Sequence, residues 1–141
     1  MRHSTLAFIF SADRAQVLLL HKQTPAWQTG QVNGVGGKNE PGETPLECIV
    51  RETREETGLL VASHDWTEIG QLRGPDWQCT VFGTIYAGPT SDAHQGAHEA
   101  IEWFPTNQLP KNVIPNLTWL IPLASDSLNS PKLKKIDIIY H

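Results

Sequence analysis

The sequence predicts an α+β fold, a mixed β-sheet sandwiched between helices, and three observations carry that expectation. A helix is delimited near residues 44–58 by its own capping residues, strand signals surround it instead of lying apart from it, and a second helical signal follows at residues 116–128. At 141 residues the chain is expected to form a single domain over 1–141. That length buries about two-thirds of the unfolded surface without covalent or metal staples.

The elements follow in order. Residues 5–10 and 17–21 are apolar runs joined by the polar Ser11-Ala12-Asp13-Arg14, a hairpin pattern. A glycine-rich loop beginning at Gly37 is expected ahead of the first helix. Thr44-Pro45-Leu46-Glu47 is a capping box with proline at the first helical position, and Gly58 supplies the stop. Between them Leu46, Ile49, Val50, Thr53 and Thr57 recur at helical spacing and form the stripe that should face the core, made polar by its two threonines. Residues 68–73 and 77–87 form a second strand pair broken at Gly74-Pro75, and residues 100–104 a further short strand. The helix at 116–128 should be interrupted early by Pro122, and residues 135–140 read as a closing strand. Trp27 and Trp77 lie near loops, where packing in the core or at its rim is expected.

Composition narrows the function. A formal charge of −4 argues against a nucleic-acid polymer as partner, since a phosphate backbone calls for a basic face. The two cysteines, Cys48 and Cys79, fall where apolar packing explains them and fit a reducing compartment. No apolar run has the length of a bilayer span, and the first residues lack a signal-peptide core, so a soluble cytoplasmic protein without a membrane partner is expected.

The chemistry concentrates on the first helix. Glu52 is followed by Glu55 three residues on and Glu56 four residues on, so three carboxylates share one helix surface. Each like-charged pair costs about 0.2 to 0.5 kcal/mol in an isolated helix unless a cation sits among them. Hard oxygen ligands suit Mg²⁺, with Mn²⁺ as the alternative. Six of the fifteen acids lie between Glu40 and Glu56, so an anionic substrate can approach only if metal reverses the local charge. Arg51 can grip Glu55 along the helix or Glu43 across the loop.

Taken together, residues 37–59, GKNEPGETPLECIVRETREETGL, resemble the Nudix box: Gly37, five residues, Glu43, seven residues, then Arg51-Glu52-x-x-Glu55-Glu56-x-Gly58-Leu59. Thr53 is the one misfit, where the box expects an aliphatic residue. The resemblance implies the Nudix fold, with the box as loop-helix-loop, and hydrolysis of a nucleoside diphosphate linked to another group. It also implies that Glu52, Glu55 and Glu56 ligate the metal, joined by the backbone carbonyl of Gly37. Lys38 is placed to touch a phosphate oxygen. For the catalytic base, many family members use a glutamate outside the box on the loop before a late strand, which here gives Glu99 or Glu102, with Glu99 ranked first. A box glutamate, Glu55 or Glu56, is the remaining candidate.

Outside the box, residues 32–38 look like the Trp-Asn-Gly-Phe-Gly-Gly-Lys run of the MutT-like group, which hydrolyses oxidised purine nucleoside triphosphates such as 8-oxo-dGTP to monophosphate and pyrophosphate. Trp103-Phe104-Pro105 followed by Leu109-Pro110 also resembles that group. The chain departs from it at Val32, and at Ile114-Pro115-Asn116-Leu117, where animal members carry Trp-Pro-Asp-Asp. The small-molecule nucleotide would then be read by Asn33, Ile114 and Asn116, since an amide offers a donor and an acceptor side by side to a purine edge. Asn116 has a competing and simpler role as N-cap of the following helix. Two other readings stay open. Pro75, sixteen residues beyond Leu59, fits ADP-ribose-cleaving members, and a Nudix domain can also bind nucleotide without turnover.

Overall fold

A computed structural model describes residues 1–96, 98–130 and 135–141. The central strand, β1 (Arg2–Phe10), is buried from Thr5 onward, as a continuous apolar run covered on both faces should be. Leu6, Phe8 and Phe10 point into one apolar cluster and Ala7 and Ile9 into another, so alternate side chains serve opposite layers. β2 (Gln16–His21) returns antiparallel through the expected turn, with Phe10 opposite Val17.

Residues 32–38 form two short strands, β3 (Val32–Asn33) against β2 and β4 (Val35–Lys38) against β1, with Ala7 opposite Val35 and Ser4 opposite Lys38, so the expected loop begins after Lys38 instead of at Gly37. Gly36 permits this because a β-carbon there would overlap the Thr5 carbonyl.

α1 (Pro45–Thr57) begins with both halves of the predicted capping box and ends at Gly58, at φ 74°. It buries Cys48, Ile49, Thr53 and Thr57, with Leu46 and Val50 packed at the margin. β5 (Thr67–Arg73) and β6 (Trp77–Ile85) pair antiparallel, and β6 runs parallel to β1 from Arg2 opposite Trp77 to Phe10 opposite Ile85. β7 (Ile101–Pro105) joins β2, placing Leu19 opposite Glu102. α2 (Leu117–Asn129) runs through Pro122 instead of being interrupted there, because Leu117, Leu120, Ile121 and Ala124 are buried and packing overrides local propensity. β8 (Ile136–Ile139) closes the sheet parallel to β5, as the tail predicted.

The strand order β3-β2-β1-β6-β5-β8, with β4 on β1 and β7 on β2, makes one mixed sheet. α1 packs with Ala7, Ile9 and Leu18 on one face, and α2 with Leu6, Phe8 and Leu19 on the other. The predicted sandwich is therefore present. Trp27 departs from its packing expectation at 68% exposed, whereas Trp77 packs against Tyr140 with ring centroids 5.5 Å apart. No helix among the described residues is long and apolar enough to cross a membrane.

Candidate active site

A cleft of about 480 Å³ opens between α1 and the far ends of β2 and β7. α1 contributes Glu52, Glu55 and Glu56; the end of β2 and the chain beyond it contribute Leu20, Lys22 and Thr24; His98 and Glu99 enter from the segment before β7. The structure thus brings Glu99 to the box glutamates. Glu102 points elsewhere: it is 55% exposed in its side chain and meets His21 Nε2 at 2.9 Å. Successive strand residues face opposite sides, so the start of β7 decides which glutamate enters the cleft.

Arg51 organises the helix side. Its Nε and Nη2 donate to Glu43 Oε2 and Oε1 at 2.7 and 3.0 Å, a bidentate grip across the loop. Nη1 donates to Glu52 Oε1 at 2.9 Å and to Glu55 Oε2 at 3.2 Å, so both partners open to it in sequence are used. Nη2 also reaches the Lys38 carbonyl at 3.2 Å. The guanidinium holds the Glu43 carboxyl at about 2, well below the usual range. Burial pushes Glu52 up, opposed by Arg51, while Glu55 remains largely exposed.

Glu56 is different, because no cation among the described residues contacts its carboxylate directly. Burial pushes it up to about 8, against the opposing effect of the Gly36 N–H, which donates to Oε1 at 2.9 Å. A proton or a cation must compensate that charge. Glu99 is held the opposite way. Burial raises it, but Lys22 Nζ at 2.8 Å and the N–H groups of Gln23 and Thr24 outweigh burial, and its carboxyl lies below the usual range. Lys22 and Glu99 are themselves 13% and 8% exposed, a closely packed pair. Lys22 carries no motif, being a lone lysine just beyond a strand; only the β2–β7 pairing brings it to Glu99. Lys38 is exposed at the end of β4 and does not line the cleft.

The donor chemistry fits a hard divalent cation. Gly37 lets the Glu52 carboxylate lie against β4, since a β-carbon there would stand 2.6 Å from Glu52 Oε1. With Glu52 and Glu55 turned onto Arg51, no three acidic, histidine or cysteine side chains among the described residues stand gathered around one point. Gathering them requires those two to swing from the guanidinium, leaving Glu52, Glu55, Glu56 and the Gly37 carbonyl as an all-oxygen set.

The substrate-reading candidates lie on adjoining backbone. Val32 bridges to Val113, and Ile114 N–H donates to Val32 O at 2.9 Å, which sets residues 113–116 beside β3. Ile114 itself is 6% exposed and packs in the core. Asn33 is occupied: its Nδ2 donates to Gln28 Oε1 at 3.0 Å and its Oδ1 accepts from Gly34 N–H at 2.8 Å. Asn116 precedes α2 but makes no side-chain cap, because its backbone is already helical at φ −67°, ψ −16°. Its Oδ1 is buried without a partner among the described residues.

Comparison with known proteins places this geometry. The NUDIX domain family model matches residues 1–122. A protein of Bacillus subtilis (strain 168) provisionally assigned as an 8-oxo-dGTP diphosphatase is 33% identical over 116 residues, covering 78% of this chain and 72% of the relative. The NAD-capped RNA hydrolase NudC of Vibrio atlanticus (strain LGP32) is 30% identical over 72% of this chain, which spans only 38% of that protein's length. Among solved structures, the MutT protein from Bacillus halodurans superposes with a TM-score of 0.68 at 22% identity, covering 99% of this chain and 90% of that one, a likeness of fold.

Proposed function

This chain belongs to the Nudix hydrolase family, which cleaves phosphoanhydrides with divalent metal ions, and from that premise we propose a MutT-like, Mg²⁺-dependent pyrophosphohydrolase. It takes a purine nucleoside triphosphate, an oxidised purine such as 8-oxo-dGTP included, to the monophosphate and pyrophosphate. The observation that carries this reading is the meeting of Glu99 with Glu52, Glu55 and Glu56 in one cleft.

Bound Mg²⁺ supplies charge neutralisation at the phosphate oxygens and acidity to the attacking water. Glu52, Glu55, Glu56 and the Gly37 carbonyl would hold it once the first two leave the Arg51 guanidinium, which still fixes the loop through Glu43. Glu99, kept ionised by Lys22 and two backbone N–H groups, takes the proton from water. Lys22 lines the cleft within reach of an incoming phosphate, a position that Lys38 does not share. Asn116 reads the base: its amide oxygen is unpaired and its capping role is unused.

A nucleotide panel with Mg²⁺ tests this: 8-oxo-dGTP, the ordinary triphosphates, ADP-ribose, NAD and dinucleoside polyphosphates. Fastest turnover on a purine triphosphate with release of pyrophosphate is expected. Preference for ADP-ribose or NAD would move the protein to the nucleoside-diphosphate-X reading, which the NudC relative supports. Pro75 does not add to that alternative, because it sits in the β5–β6 turn closed by Gly74 N–H to Trp77 O at 3.0 Å. Binding without turnover on every nucleotide would leave a non-catalytic module. Asn116→Ala should lower kcat/KM for purines selectively; equal losses on pyrimidines would remove Asn116 from base reading.

A further inference from the structure

The last turn of a helix leaves carbonyls that the helix cannot pair. In α1 two of these are taken by the segment leading to Glu99: His94 N–H donates to Thr57 O at 2.9 Å, and Gly96 N–H donates to Glu56 O at 3.1 Å. Packing reinforces both contacts. The His94 imidazole covers Gly58 so closely that a β-carbon on Gly58 would overlap the ring, and a β-carbon on Gly96 would overlap the Glu55 carbonyl oxygen. Gly96 is not among the glycines at positive φ, so close approach alone demands glycine there. The segment is anchored before this point by Tyr86 Oη donating to Asp92 at 2.6 Å and Trp103 Nε1 donating to Thr90 O at 3.0 Å. Beyond Glu99 it is pinned by His21 N–H to Ala100 O at 2.8 Å.

We propose that His94 and Gly96 form a strap that sets the position of Glu99 against the α1 glutamates, making both residues positioning residues for the reaction. The proposal rests on Glu99 being the base. The turn of α1 that carries the Glu55 and Glu56 carboxylates also carries the carbonyls that hold the strap. Glu99 is therefore referenced to the helix that would hold the metal, and not only to β2 through Lys22. A methyl group at Gly96 lifts the strap from the helix three residues before the base. Misplacement on the order of 1 Å is enough to cost up to about 100-fold in rate.

The test uses the panel nucleotide that the full chain turns over fastest. Gly96→Ala should lose roughly 10- to 100-fold in kcat with KM within about twofold, whereas Gln95→Ala, exposed on the same strap, should match the wild type. Combining Gly96→Ala with Glu99→Gln should give an enzyme no slower than Glu99→Gln alone, within about twofold, since both changes remove one function. Should Gly96→Ala fail to fold, His94→Ala carries the same cycle with a smaller loss in kcat. Losses that multiply in the double variant, or an unchanged kcat in the single one, overturn the strap while leaving Glu99 as base. An unimpaired Glu99→Gln enzyme overturns the base and the strap together.

Discussion

Arg51 and Lys22 each grip a mostly buried glutamate beside the same cleft, but Glu43 lies 8 residues from Arg51 and Glu99 lies 77 residues from Lys22. The first wall of the site is thus made by one helix and the loop before it, and its geometry follows from local spacing. The second exists only because β7 pairs with β2 and carries the strap segment to its end. The walls also differ in electrostatics. On α1 burial pushes Glu56 up to about 8, whereas on the far wall the surroundings push Glu99 down. Arg51 leaves Glu56 without a cation on the first wall, whereas Lys22 meets Glu99 directly on the second.

The strongest way to break this contrast is Glu56→Gln, which should cost on the order of 10³-fold in kcat if Glu56 holds the metal as proposed. Stability should move the other way. The folded Glu56 carboxyl lies at about 8, above its usual 4.5, so its contribution to stability is full below pH 4.5 and is lost as pH rises to about 8. Melting temperatures without added metal should therefore fall across that window in the wild type and stay flatter in Glu56→Gln. Parallel curves would show that the carboxyl is not strained by burial. Glu43 has the opposite sign: held at about 2, it supports the fold above pH 4.5 and loses that support as pH falls toward 2.

Next in size, Glu99→Gln should lower kcat by about 10²-fold, and Glu102→Gln should stay within about twofold, as measured by steady-state turnover at saturating substrate. Comparable losses at both would mean that the far wall is wrongly divided. Lys22→Met and Arg51→Met, each leaving a largely buried carboxylate unpaired, should each destabilise by about 1–3 kcal/mol in urea unfolding. Arg51→Met should be the worse, because Arg51 serves Glu43, Glu52 and Glu55 together. The smallest effect is expected at Thr53, whose hydroxyl is buried without a partner. Thr53→Val should gain about 1 kcal/mol with kcat unchanged, and a loss of stability would reveal a hydrogen bond to that hydroxyl.

Much of the fold was legible: the capping box at Thr44 and Glu47, the αL stop at Gly58, the buried threonines on the stripe of α1, and the strands expected at residues 68–73 and 135–140 all appear, within a residue at their ends, where local chemistry puts them. What failed did so for tertiary reasons. Gly37, expected in the loop, lies in β4 against β1, beside Gly36, whose missing side chain permits close backbone approach. Pro122 does not break α2 because four buried neighbours hold the helix. Asn116 does not cap because its own backbone is helical.

The sequence by itself determined the helix wall, since helical periodicity places Glu52, Glu55 and Glu56 on one surface and Arg51 within reach of their neighbours whatever the rest of the chain does. It determined the family for the same reason. Only the tertiary structure decided that Glu99 and not Glu102 enters the cleft, that Lys22 is its partner, and that the strap joins the walls. Those facts depend on strand pairing and register between residues far apart in the chain, which no local spacing encodes.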